Sequence, residues 1–368
     1  MLLSFVVALA MGLAQSQTAA PSAKGTVERI KVHGKALEGN LEGDSADRDV
    51  FVYLPPSYSR NTNQRYPVVY LLHGYGLTAE RWMTFAGLAD TSDKNIAAGT
   101  MKEMILVNPD AFTKYNGSMY SASATIGDWE TFIAEDLVAY IDSHYRTIPN
   151  RMSRGLGGHS MGGYGTMRIG MKRPDVCSSL YPMSSCCLIN NPGGGGGQGN
   201  RGGAQATATP AQNATPAAAG TPPAQGAAQG GRGRGGRGGG FNNAPSAQAA
   251  AWASNPNNPP DFFDTPVKEG VPQPLIIAKY AANSPLVMID QYVTNLKKYK
   301  AIMIDVGTQD TLAGSNRQMD EILTRFGVNH VFETYEGDHT NRVKERFELK
   351  VLPFFSNNLA FSAAGPIR

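Results

Sequence analysis

The 368-residue chain predicts an α/β protein: an open, mostly parallel sheet with helices on both faces, interrupted by one low-complexity insertion. Three observations predict it. Strand-like and helix-like runs alternate from residue 67 onward, as repeated strand–helix–strand units require. The central strand-like runs, such as PVVYLL at 67–72, are apolar on both faces, which suits a parallel sheet covered on both sides. Setting aside an apolar leader and a Gly-rich stretch leaves segments 22–190 and 261–368, 277 residues and the size of one α/β domain.

In chain order, strands are expected at 27–32, 49–54, 67–72, 103–107, 155–158, 178–183, 302–306 and 330–335. Helices are expected at 129–145, 161–172, 287–298, 318–326 and 342–358. In the first of these, Phe132, Ile133, Leu137, Tyr140 and Ile141 recur at three- and four-residue steps. That period makes Phe132 a core residue and Glu130 a first-turn helix acid.

The leader MLLSFVVALAMGLA is too short to span a bilayer, which takes roughly 20 apolar residues. It has the length of a signal-peptide apolar region, with small residues offering cleavage after Ala14 or Ala20, so residues 1–20 are read as a signal peptide and the protein as secreted or periplasmic. No stable membrane anchor is expected. Residues 191–260 hold 18 of the 42 glycines and show no hydrophobic period, so they are read as a disordered insertion into a single domain at 22–368. That stretch also holds four arginines and no acidic residue. Without it the chain carries 29 basic and 30 acidic residues, so the formal charge of +3 is no sign of a polyanion partner. Its three arginines at 232–237 lack interleaved aromatics, and no nucleic-acid partner is expected. Cys177, Cys186 and Cys187 allow one bridge at most and are read as buried free thiols. Nothing in the sequence specifies an oligomeric state.

The sharpest motif is Gly158-His159-Ser160-Met161-Gly162, between a strand-like run and a helical one. A strand turning at once into a helix strains the Ser backbone, and the flanking glycines let the chain cross closely without Cβ clashes. The turn lifts the Ser160 hydroxyl above the N-terminus of the next helix, where negative charge is favoured. A serine hydroxyl is a poor nucleophile until an imidazole removes its proton and a carboxylate fixes that imidazole's tautomer. In α/β-hydrolases these follow in the order Ser, acid, His. Downstream of Ser160 the histidines are His330, at the start of a strand, and His339, in a post-strand loop. His339 is the expected base and His330 a structural imidazole. Asp310, in the loop after AIMIDV, is the expected acid; Asp305 would be buried inside that strand, and Asp338 adjoins the base. The oxyanion hole is expected from the backbone N–H groups of Met161 and Tyr75, with Gly76 one register step away. His73 is read as a brace for that loop. No residue pattern has metal-ligand spacing, and neither a metal nor another cofactor is expected.

At these residues the chain resembles the putative esterase family of α/β-hydrolases, which includes feruloyl and acetyl-xylan esterases, S-formylglutathione hydrolases and mycolyltransferases. The resemblance rests on PVVYLLHGYG (67–76) with Trp82, WETFIAEDLVAYIDSHYR (129–146), GLGGHSMGGYGTMRIGMKRPD (155–175), DVGTQD (305–310) and YEGDHT (335–340). It implies a triad of Ser160, Asp310 and His339, with Tyr75 and Met161 as oxyanion donors. It also implies a serine carboxylic ester hydrolase working through an acyl-enzyme. A small-molecule or polysaccharide-linked ester of the feruloyl or acetyl-xylan type is the expected substrate. S-formylglutathione hydrolase and mycolyltransferase-like activity are the alternatives, although the aromatic-rich stretch that follows the base in several relatives is replaced here by Thr-Asn-Arg-Val-Lys. A non-catalytic binding module is the rival of another class, and the complete triad argues against it.

Overall fold

The computed structural model describes residues 24–190 and 244–362. Eight strands form its central sheet: β1 (Thr26–His33), β2 (Asp47–Leu54), β3 (Val68–Leu72), β4 (Ile105–Pro109), β5 (Arg154–His159), β6 (Ser179–Met183), β7 (Ala301–Gly307) and β8 (Val331–Tyr335). Their spatial order is β1-β2-β4-β3-β5-β6-β7-β8. β1 and β2 run antiparallel to their neighbours, and every pairing from β4 onward is parallel.

The apolar runs explain why the sheet lies at the centre. All five residues of β3 are buried, with Val68, Tyr70 and Leu72 turned to one face and Val69 and Leu71 to the other. Each of these Val and Leu side chains contributes about 1.5–3 kcal/mol on burial. The first face meets the helical stretch α3, made of Trp129–Thr131, a π-type turn at Phe132–Asp136, and Leu137–His144. It also meets the helix α4 (Met161–Lys172) that follows β5. Asp128 caps the start of α3, its carboxylate accepting from the Thr131 N–H at 3.0 Å. The second face meets α1 (Ala79–Phe85) and α2 (Leu88–Ala97). The C-terminal stretch Val343–Arg346, Phe347–Val351 and Leu352–Asn358 covers the rest of that face. Phe132 is core, as its periodicity predicts. Glu130 does more than bias a helix terminus: its carboxylate pairs with Arg168 at 2.6 Å and with Lys172 at 2.7 Å, tying α3 to α4.

Two sequence expectations need correction. The stretch holding α1 and α2 and the helix at Pro274–Ala282 carry no assignment in the sequence reading; α1 is only seven residues long, and the face that α2 buries is mostly polar, Thr91, Ser92 and Asn95 beside Leu88. The second correction concerns 191–260. Residues 191–243 lie outside the described residues, as does the leader 1–20, but 244–260 belongs to the fold. Helix α5 (Ala244–Trp252) buries Ala247, Ala249, Ala250, Ala251 and Trp252. The Trp252 ring lies 5.7 Å from Tyr164 and 5.3 Å from Tyr280, and its indole N–H donates to the Ser121 hydroxyl at 3.2 Å. Alanines carry little volume, so composition hides this helix; they let it approach the body closely, and one tryptophan anchors it. Among the described residues no helix is long and apolar enough to cross a membrane.

Trp252→Ala is expected to lower the unfolding free energy by about 3–5 kcal/mol in urea titration. A loss below about 1 kcal/mol would mean that α5 is not part of the core.

Candidate active site

Ser160 stands between β5 and α4 with φ 60° and ψ −113°, a backbone conformation that L residues rarely hold. The neighbours make it possible. A Cβ on Gly162 would lie 2.0 Å from the Leu72 carbonyl oxygen, and one on Gly158 would lie 2.6 Å from the same atom. No residue but glycine fits at either place. The crossing is locked by Ser160 N–H donating to the Met183 carbonyl at 3.0 Å and by Cys186 N–H donating to the Ser160 carbonyl at 3.1 Å.

The loops after β7 and β8 bring up the other two side chains. A Cβ on Gly307 would lie 2.2 Å from the Gly337 carbonyl oxygen, so the two loops touch backbone to backbone. Thr308 N–H donates to the Tyr335 carbonyl at 2.8 Å and Gln309 N–H to the Gly337 carbonyl at 2.9 Å. This seam sets Asp310 Oδ2 2.8 Å from His339 Nδ1, while His339 Nε2 lies 2.9 Å from Ser160 Oγ. The carboxylate accepts from Nδ1–H, so the tautomer assigned from this network leaves Nε2 free to accept the serine proton. Burial alone would raise the Asp310 carboxyl. The hydrogen bond and charge of His339 and the Leu312 N–H, which donates at 2.8 Å, outweigh it and hold the group below the usual carboxylate range. The Asp310 side chain is fully buried and that of His339 is 29% exposed. The imidazole is thus reachable and its carboxylate partner is not.

The loop carrying Tyr75 abuts the serine: a Cβ on Gly74 would sit 3.5 Å from Ser160 Cβ. Gly76 N–H donates to the Asn116 carbonyl at 3.0 Å, which removes Gly76 as an alternative donor. Met161 opens α4, so its N–H belongs to the first helical turn, where N–H groups have no intrahelical acceptor. The Tyr75 hydroxyl donates to the Tyr115 carbonyl at 2.8 Å, fixing the loop from outside. His73 is wholly buried and braces the loop: its Nδ1–H donates to the Gly74 carbonyl at 2.9 Å and its Nε2 accepts from Ala111 N–H at 2.8 Å.

The remaining candidates go elsewhere. His330 binds Asp320 at 2.9 Å and the Val328 carbonyl at 2.8 Å. Asp305 is buried between Tyr181 and Arg346, and Asp338 accepts from Thr340 and Asn341 N–H in its own turn. Among the described residues no group of three or more His, Cys, Asp or Glu could hold a metal ion.

Sequence reasoning missed His159. Its Nε2–H donates to the His339 carbonyl at 2.8 Å, and its ring stacks on Trp82 at 6.1 Å. The residue before the serine therefore holds the loop of the imidazole. Its place inside the Gly-x-Ser-x-Gly motif was a signal, but that position is freely variable in the pattern. Burial, then the nearby His339, push the His159 imidazole down to about 3. The folded protein withholds a proton that the unfolded chain takes up below about pH 6.5. Stability from this group is therefore full above that pH and is lost as pH falls toward 3. Unfolding titrations between pH 4 and 6 should show His159→Gln reducing the pH slope by about one proton, or about 1.4 kcal/mol per pH unit. An unchanged slope would contradict the buried neutral ring.

Comparison with known proteins gives one consistent result. The family model described as "Putative esterase" matches residues 45–343. Over 128 residues the chain is 30% identical to an endo-1,4-beta-xylanase/feruloyl esterase of Xylanibacter ruminicola, covering 34% of this chain and 18% of that protein. Over another 128-residue match it is 35% identical to an esterase of Mycobacterium tuberculosis, covering 33% of this chain and 26% of that one. The matches span about a quarter or less of these relatives. Among solved structures, a ferulic acid esterase superposes with TM-score 0.61 at 20% identity, covering 91% of this chain and 99% of that one. An S-formylglutathione hydrolase from Staphylococcus aureus superposes with TM-score 0.56 at 15% identity, covering 90% and 99%. These likenesses establish the α/β-hydrolase fold, and the chain belongs to the putative esterase family.

Proposed function

We propose that this protein is a serine ester hydrolase working through an acyl-enzyme. The observation that carries the reading is one imidazole, His339, within 2.9 Å of the Ser160 hydroxyl and 2.8 Å of the Asp310 carboxylate. Ser160 Oγ attacks the ester carbonyl carbon as its proton passes to His339 Nε2. Asp310 steadies the imidazolium that results. The Tyr75 and Met161 N–H groups hold the oxyanion, a contribution typically worth about 100- to 1000-fold in rate. Collapse expels the alcohol with the imidazolium proton, leaving Ser160 acylated. Water then attacks with His339 again as base, and the carboxylic acid leaves.

A relative named endo-1,4-beta-xylanase/feruloyl esterase supports a polysaccharide-linked ester of the feruloyl kind as substrate, with an acetyl-xylan ester as the neighbouring choice. The apolar leader supports export, which suits such a substrate better than a glutathione thioester. Sequencing the N-terminus of secreted or periplasmic protein tests export, with a mature chain starting after Ala14 or Ala20 as the expected result.

Ser160→Ala should reduce p-nitrophenyl acetate turnover by at least about a thousandfold with folding intact. Unchanged turnover would falsify the mechanism. Asp310→Asn keeps the geometry but permits the wrong tautomer, and should cost on the order of 10⁴ in kcat. A substrate panel should rank feruloyl and acetyl esters above S-formylglutathione in kcat/KM; the reverse order would sink the substrate assignment, though not the chemistry.

A further inference from the structure

Beside the triad lies a pair of groups that the ester chemistry does not use. β6 ends at Met183, and the chain then runs along the wall of the site: Ser184 N–H donates to the Asp305 carbonyl at 2.8 Å, and Cys186 N–H to the Ser160 carbonyl at 3.1 Å. Cys186 and Cys187 are both free thiols and both half-buried, not fully buried as their sequence suggests. Their sulfurs lie 2.8 Å apart, against about 2.0 Å for a disulfide bond. Cys187 has φ 57°, so its backbone already leaves the extended form, and its sulfur meets the Gln248 amide of α5 at 3.5 Å. Asn190 holds the Cys187 carbonyl at 3.1 Å. The third thiol, Cys177, is sealed in the core, where burial pushes it up to about 12, and it takes no part.

We propose that Cys186 and Cys187 are a reversible oxidation site, closing a vicinal disulfide on the wall behind Ser160 when the protein meets a small-molecule or protein disulfide. The Cys187 thiolate, nearer α5, attacks one sulfur of the incoming disulfide and releases the other as a thiol. Cys186 then loses its proton and displaces the second thiol. Two cysteines are oxidised, one external disulfide is reduced to two thiols, and electrons and protons balance. The neighbouring thiol, with burial, raises Cys186 well above the usual range, which favours its role as the second, resolving partner.

Adjacent Cα atoms lie about 3.8 Å apart, below the range of roughly 4.4–6.8 Å found in ordinary disulfides. A bridge here is therefore strained and readily reduced, as regulatory disulfides are. Ring closure also fixes the peptide between the two residues, next to the N–H that anchors the Ser160 carbonyl. A small displacement there misaligns the nucleophile.

The test uses the full-length protein in oxidised and reduced glutathione mixtures, followed by alkylation and peptide mass analysis. The peptide holding residues 186–187 should lose the mass of two hydrogens and resist alkylation, both reversed by dithiothreitol. In parallel, kcat/KM for p-nitrophenyl acetate should fall by about tenfold on oxidation and recover on reduction. Cys187→Ser should keep basal turnover and lose that response. Thiols that stay alkylatable at every glutathione ratio, or a stable mixed disulfide without ring closure, would overturn the site. A bridge that forms without changing turnover would overturn its control of the nucleophile. The mass readout does not depend on ester hydrolysis, so failure of that reading would be visible separately.

Discussion

The site depends on two places where backbone passes backbone with no room for a side chain. At the first, Gly162 crosses the carbonyl of Leu72, and Ser160 is forced into a conformation it would not otherwise hold. At the second, Gly307 meets Gly337, and the loops carrying Asp310 and His339 become one piece. The first approach presents the hydroxyl at the carboxyl end of β5; the second presents the imidazole to it. The first rests on β5 and the Asp310 side of the second on β7, strands whose own burial is nearly complete, so the strain at Ser160 is borne by the sheet core; the His339 loop follows the partly exposed edge strand β8.

Around this frame the buried polar groups divide by charge. His73 and His159 are enclosed, and desolvation holds both below the ordinary imidazole range, so they serve as neutral hydrogen-bonding struts. Asp310, buried as completely, stays ionised because His339 and a backbone N–H satisfy it. The buried Asp310 carboxylate thus faces one imidazole at 2.8 Å. That arrangement is what a serine–histidine pair requires.

Much of this was legible in the sequence, for physical reasons. Strands such as PVVYLL declare themselves because both faces are buried. The elbow declares itself because only glycine fits beside the serine. Asp310 and His339, and not Asp305 and His330, meet Ser160 because they lie in carboxyl-end loops, where the sequence pattern placed them. Other features were hidden. α1 is only seven residues long, and α2 buries a mostly polar face of Thr91, Ser92 and Asn95 beside Leu88. α5 is built from alanines inside a stretch rich in glycine and alanine that shows no apolar period. His159 works through its hydrogen bond to a residue 180 positions away, a pairing that only the fold creates.

Whether Ser160 is the nucleophile and His339 its base decides the chemistry. Reaction with a fluorophosphonate, followed by peptide mass mapping, measures both at once. A single adduct on the peptide containing Ser160, lost when His339 is replaced by alanine, is the predicted result. An adduct on another residue, or undiminished labelling of Ser160 without the imidazole, would contradict it.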